Sequence, residues 1–317
     1  MQHRNMSARC VPASPRASQS ASAAPNPVRD FSGVALDPLT TALVLFAASL
    51  HASWNALVKA GGDKLAMLTL VIVGGALWMA FAVAFVPLPD RAAWPFLALS
   101  SLLHVSYSVS LVRAYEHGDL SRVYPIARGA APAFVATGAW LVASEALVPL
   151  EIAGILLLSF GIMSLALERP GFVAGRGRNA VAWSLLTAAW IGTYSVCDGM
   201  GVRRTLNPLS FIAWLMLVDA FPILGVALWL RRGRVWASFR PHLVPGLGGG
   251  AIAALAYGIV LWAMAHGRIA HVAALRETSV IVAAGIGTVV LGEPFGRRRI
   301  AAACMVALGA VLLQAAR

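Results

Sequence analysis

The sequence predicts an all-α integral membrane protein: ten transmembrane helices in two inverted five-helix repeats. Three observations carry that prediction. Of 317 residues, 59% are hydrophobic and only 12% charged, with a mean hydropathy of +0.76. A water-soluble domain is nearer about half apolar and about a quarter charged, so this chain cannot cover a soluble particle with polar surface. The apolar residues gather in ten runs, each near the roughly 20 residues that a spanning helix needs. The second half of the chain also echoes the first at a fixed offset.

The runs are 38–60, 64–86, 94–115, 120–143, 148–167, 179–202, 207–230, 243–266, 269–291 and 299–316. Polar or proline-bearing stretches separate them, such as "PLPDR" at 87–91, "ERPGFVAGRGR" at 168–178 and "RRGRVWASFRPH" at 231–242. The gaps after spans three and eight are only a few residues long, so those ends are the least sharply marked. Barrel strands are excluded, because the runs far exceed the roughly 10 residues of such a strand and do not alternate.

The repeat shows first around 114–123, where "AYEHGDLSRV" aligns with "AMAHGRIAHV" at 263–272, an offset of 149. At the same offset Gly138 meets Gly287. One residue of slippage later, Glu145, Ile152 and Gly161 meet Glu293, Ile300 and Gly309. Five spans per half is an odd number, so the halves cross the bilayer in opposite senses. Secondary transporters use that plan and place their solute site near the midplane where the halves meet. The domain reading is a disordered tail over 1–36, a first repeat over 37–168 and a second over 179–316. The tail is rich in Ser, Ala, Pro and Arg and cannot bury a core.

The formal net charge of +12 would point to nucleic acid in a soluble protein. Here the cations sit in short loops, as at Arg231, Arg232, Arg234 and Arg297, Arg298, Arg299, and read as topology signals and headgroup contacts. The loops after odd-numbered spans carry twelve Lys and Arg against four on the other side. Tail arginines and Arg317 raise the poorer side to nine, which leaves the orientation open. Cys10, Cys197 and Cys304 form neither a disulfide framework nor a metal set. "GLGGG" at 246–250 lacks the Lys-Ser/Thr of a phosphate loop.

Polar residues inside the apolar runs mark the candidate site. His51, Asn55 and Lys59 fall at i, i+4, i+8 on one face of span one, with Trp54 beside them. Lys59 is near enough to an end to snorkel. For His51 and Asn55, cavity lining and helix-to-helix hydrogen bonding both stand. Arg128 lies about 12 Å into span four at roughly 1.5 Å per residue, between Pro125 and Pro132. The 149 offset pairs Arg128 with Glu277 and Ala127 with Arg276, so both halves put ionisable groups at matching depth beside the symmetry axis. A solute site and a structural salt bridge compete as explanations. Tyr124 and Tyr194 complete the expected lining. Asp198 reads as a proton site, a partner for an arginine or an interfacial residue. Glu277, Asp198 and His51 are the titratable candidates for proton coupling. Arg113 and Glu116 should pair, and Glu145 and Glu293 should cap the turns that follow them.

With ten spans in two halves, "LGEP" at 291–294, "HASWNALVK" at 51–59, "GDLSRVYPIARGAAP" at 118–132, "DGMGVR" at 198–203 and "LRETS" at 275–279, the chain resembles the EamA family of the drug/metabolite transporter superfamily. The resemblance covers about residues 38–316. It departs at "SEAL" (144–147), where "GEPL" is typical. It implies alternating-access carriage of small metabolites, often export of amino acids or similar solutes, with no shared catalytic residues. The expected function is therefore a secondary transporter, of the exporter type, acting on a small polar metabolite such as an amino acid or organic anion, in a bacterial cytoplasmic membrane. The alternatives are an integral membrane enzyme and a non-transporting scaffold; neither H-E-x-x-H nor a serine elbow is present to favour the first. No catalytic residue, metal or cofactor is expected. The expected partners are the metabolite and the lipid bilayer, with a homodimer open and nucleic acid excluded.

Overall fold

The computed structural model describes residues 36–118, 120–168, 176–289 and 296–316. Among them all regular structure is helical. The helices are α1 (Pro38–Ala60), α2 (Lys64–Val83), α3 (Trp94–His117), α4 (Leu120–Val142), α5 (Pro149–Ser164) and α6 (Arg176–Val202). They continue with α7 (Pro208–Arg231), α8 (Val235–Phe239), α9 (Leu243–His266), α10 (Ile269–Arg276), α11 (Ser279–Val289) and α12 (Arg297–Ala315). The expected tail and the "LGEP" stretch, Glu293 included, lie outside the described residues.

Local chemistry sets the helix ends. Pro38 occupies the first turn of α1, and the Asp37 carboxylate accepts from the amides of Leu39 and Thr40, both at 3.0 Å. This satisfies donors that no helical carbonyl can reach. Asp63 caps α2 in the same way through Ala66 N at 3.1 Å. It also holds Arg231 and Ser238, each at 2.5 Å, tying the turn after α1 to the chain after α7. Burial raises the Asp63 pKa, but the Ser238 hydroxyl, the Ala66 amide and Arg231 outweigh it and leave the carboxyl below its ordinary range.

Among the described residues eight segments are long and apolar enough to cross a membrane, and the protein is a multi-pass membrane protein. The sequence predicts ten crossings. The remaining two runs are α4, 23 residues long with two internal prolines, and α5, only 16 residues. Pro125 and Pro132 do not break α4. The run expected at 269–291 is interrupted instead. Glu277 N and Thr278 N bond to the carbonyls of Ala274 and Leu275, three residues back, and Val280 and Ile281 repeat the pattern. The Thr278 hydroxyl takes the Leu275 carbonyl at 2.7 Å. This tight turn separates α10 from α11 at the residues singled out for their charge; such a stretch inside a helix often marks a functional hinge.

Packing places these elements around one centre. α6 lies against α3 and α4, α1 against α9, α10 and α11, α2 against α7 and α9, α5 against α12, and α10 crosses α4. The largest buried cluster runs through α1, α3, α4, α5, α6, α7, α9, α10 and α12, with Phe211, Leu158, Leu215 and Ile269 fully enclosed. Outward-facing Phe81, Phe85, Trp140 and Trp229 give the apolar, tryptophan-bearing perimeter that lipid favours. The start of α1 and the end of α12 meet at one face, where Gln314 Nε2 donates to Leu36 O and contacts Thr41 Oγ1, each at 3.1 Å. We refer to this as the terminal face.

Candidate functional site

Arg128 on α4 reaches Glu277 across the bundle, Nη2 to Oε2, at 2.9 Å. Arg276, the last residue of α10, approaches the other oxygen of the same carboxylate at 3.4 Å. All three residues are buried, at 6%, 1% and 2% exposure for Arg128, Glu277 and Arg276. The group therefore holds two cations and one anion away from bulk water. One positive charge is left over, and the Nε atoms of both arginines have no hydrogen-bond partner. Burying charge is costly unless it is paired and hydrogen-bonded. An anionic group entering here would meet open donors and an uncompensated cation.

Aromatic side chains flank this centre. Tyr124 lies one turn before Arg128 on α4 and is half-buried. Buried Tyr194 on α6 meets Tyr107 of α3 edge to face, with ring centroids 5.7 Å apart. Both arginines act electrostatically on Tyr107, Tyr124, Tyr194 and His51. Trp54 packs against His51 edge-on at 5.0 Å, and Asn55 Nδ2 donates to the His51 carbonyl at 2.7 Å. Asn55 thus spends one donor on its own helix. Trp54 and Asn55 adjoin the charged centre through His51, with no direct contact to it recorded. The side chain of Lys59 lies outside the described residues.

Asp198 lies elsewhere and is not interfacial. It is fully buried on α6, and its Oδ2 accepts the Tyr257 hydroxyl of α9 at 2.5 Å. Its neighbours include His104 of α3, which sits 3.2 Å from Asp219 of α7 and stacks on Tyr194 with centroids 4.2 Å apart. Sequence reasoning missed His104, Tyr107 and Tyr257. The available signal was the polar stripe Ser100, His104, Tyr107 on one face of an otherwise apolar run.

A third set of charges closes the terminal face. Glu145 accepts from Arg203 Nη2 at 2.7 Å and from the first amides of α10, Ile269 at 2.8 Å and Ala270 at 3.2 Å. Arg203 also donates to the carbonyls of Met264 and Gly267. Arg268 pairs with Glu151 and donates to Ala146 O. Glu145 therefore does not cap the turn that follows it, as expected; Glu151 does, through the Val148 amide at 3.0 Å. Glu145 instead caps α10, where a carboxylate complements the positive helix terminus. The expected pair Arg113–Glu116 forms at 3.0 Å near the opposite face.

The comparisons with known proteins bear on this arrangement. Residues 178–314 match the model of the EamA-like transporter family. Those residues, under half of the chain, are similar to EamA-like transporters. Of the short motifs that carry the family resemblance, "DGMGVR", "LRETS" and "LGEP" fall inside the matched region. A crystal structure of another protein superposes with a TM-score of 0.64 at 17% identity, covering 86% of this chain and 94% of that one. At that identity the likeness speaks for the fold alone, but it extends through both halves. No curated protein matches the chain. The matched residues include Arg276, Glu277, Asp198 and Tyr194; Arg128 and His51 come from the half that precedes them.

Proposed function

We propose that this chain is an EamA-type secondary transporter that exports a small polar metabolite, such as an amino acid or organic anion, across a bacterial cytoplasmic membrane by alternating access. The observation that carries the reading is the Arg128–Glu277–Arg276 centre. Its excess cation and open guanidinium donors suit a carboxylate, and Glu277 can balance that charge or take an amine. Tyr124, Tyr194, His51, Trp54 and Asn55 line the approach. The chemistry is recognition and passage, not catalysis.

The transport plan needs two inverted repeats, 37–168 and 179–316, with α4 and α5 as the two further crossings. Two contacts support it. At the 149 offset Arg128 corresponds to Glu277, so a residue touching its own counterpart stands where a two-fold axis would run. At the slipped offset, 154 corresponds to 302 and 161 to 309. A Cβ on Gly154 would sit 2.9 Å from Gly309 O, and one on Gly161 would sit 3.2 Å from Ala302 O. The α5–α12 contact is thus self-complementary, as a two-fold interface must be. Helix pairings exchange likewise: α3 with α6 answers α9 with α1, and α4 with α6 answers α10–α11 with α1.

The test is export from cells carrying the chain, found by comparing metabolites released by deletion and overexpressing strains. Arg128→Ala and Glu277→Ala should each abolish the difference while the protein stays in the membrane. Unchanged export in both would remove the site.

A further inference from the structure

Four side chains on four helices meet beside Tyr194, where His104 also faces Tyr257 edge-on. Asp219 Oδ2 lies 3.2 Å from His104 Nδ1, and that nitrogen is also 3.1 Å from Ser100 Oγ and 3.0 Å from Ser100 O. Asp198 Oδ2 accepts the Tyr257 hydroxyl. One oxygen on each aspartate, Asp198 Oδ1 and Asp219 Oδ1, is buried with no hydrogen bond of good geometry, although the Ser100 and Ser101 hydroxyls lie close to Asp198 and Asp219. Asp198 itself is wholly enclosed. A purely structural aspartate should have both oxygens satisfied, because an orphaned buried acceptor costs about 1–3 kcal/mol. Protonation of the free oxygen removes that cost only for as long as the proton stays.

We propose that His104, Asp198, Asp219 and Tyr257 form a proton-binding site that couples solute movement to a proton gradient; this rests on the transporter reading above. The groups facing it are few. From α3 come His104 and the hydroxyls of Ser100 and Ser101; from α6, Asp198, Cys197 and Tyr194; from α7, Asp219; from α9, Tyr257; and from α10, at longer range, Arg276. Two acids and one imidazole this close share protons as a set. Without a proton on an aspartate the set carries more negative charge than His104 can offset. A proton from water on one side binds an aspartate oxygen and leaves to water on the other, so no other reactant is needed.

The cluster is also placed to sense the solute. Tyr194 stacks on His104 on one side and meets Tyr107 on the other. Arg276 acts on Asp198 and Tyr194 as well as pairing with Glu277. An anion that draws Arg276 away strips positive charge from Asp198, which favours its protonation. This replaces Glu277 and His51 as the coupling groups and leaves them to the solute.

Two readouts test the proposal on full-length protein. Infrared difference spectra of purified wild type should show a carboxyl group that changes protonation between about pH 5 and 9, a range that only a perturbed acid reaches. That band should vanish in Asp198→Asn or Asp219→Asn and shift in His104→Gln. In proteoliposomes given a radiolabelled mixture of amino acids, an imposed pH gradient should raise wild-type uptake several-fold over no gradient, and Asp219→Asn should bring that ratio to about one. Wild-type uptake indifferent to the gradient, with no titrating carboxyl, overturns the proton site and leaves the carrier standing. A titrating carboxyl in a protein that moves no labelled solute supports the proton site and counts against the carrier reading for amino acids. If an aspartate variant does not fold, the wild-type spectrum and His104→Gln still decide.

Discussion

Glu277 is held between two guanidinium groups, and its removal should be felt more than that of either partner. Glu277→Gln leaves two buried arginines facing each other, a change of the kind that costs about 3–5 kcal/mol. Adding Arg128→Gln removes one of those charges, so the double variant should recover part of the loss. Thermal unfolding in detergent measures both. These three residues were legible in the sequence because charge inside an apolar run is expensive and needs a reason. Their convergence was legible too, since the 149 offset pairs position 128 with 277. The His104–Asp219 pair was not. Its members lie on α3 and α7, and nothing in either helix states that the two pack together. Glu145 misled for the same reason: its partners, Arg203 and the start of α10, are distant in sequence and close only in the folded bundle.

Among the elements, α5 and α12 approach one another through glycine. A Cβ on Gly309 would stand 2.7 Å from Gly154 O and 2.9 Å from Leu158 N, both rigid backbone atoms. Gly309→Ala should therefore push the helices apart and cost about 1–3 kcal/mol, read as a lowered unfolding temperature. The turn after α1 offers a pH test. The folded Asp63 carboxyl lies below its ordinary range, so its contribution is complete above that range and is lost as pH falls through the folded value. Hydrogen-exchange protection at the start of α2, taken relative to the intrinsic rate at each pH, should fall on acidification, and Asp63→Asn should show the low protection already at neutral pH. The apolar runs marked these helices well, because length and hydropathy alone define a span. They did not mark the α10–α11 interruption, which consists of backbone bonds to carbonyls three residues back and leaves no compositional trace beyond Thr278.

Across the whole molecule, charge is sorted into three groups: the Arg203–Glu145 and Arg268–Glu151 pairs at the terminal face, the His104–Asp219 group, and the Arg128–Glu277–Arg276 centre. Under the proposed alternating access the terminal-face pairs have to open, since they join α6 and α10 to the loop after α4. Glu145→Gln weakens that seal and the cap on α10 together, and should speed solute exchange from the terminal face. The most direct test of the account asks whether the centre is a wet passage or a dry seam. Single cysteines at positions 51 and 124, in a chain otherwise free of cysteine, are exposed to a membrane-impermeant thiol reagent from each side, with and without the exported metabolite. The account predicts labelling that the metabolite suppresses. Cysteines that stay unlabelled from both sides, in protein that is still inserted and folded, would contradict it.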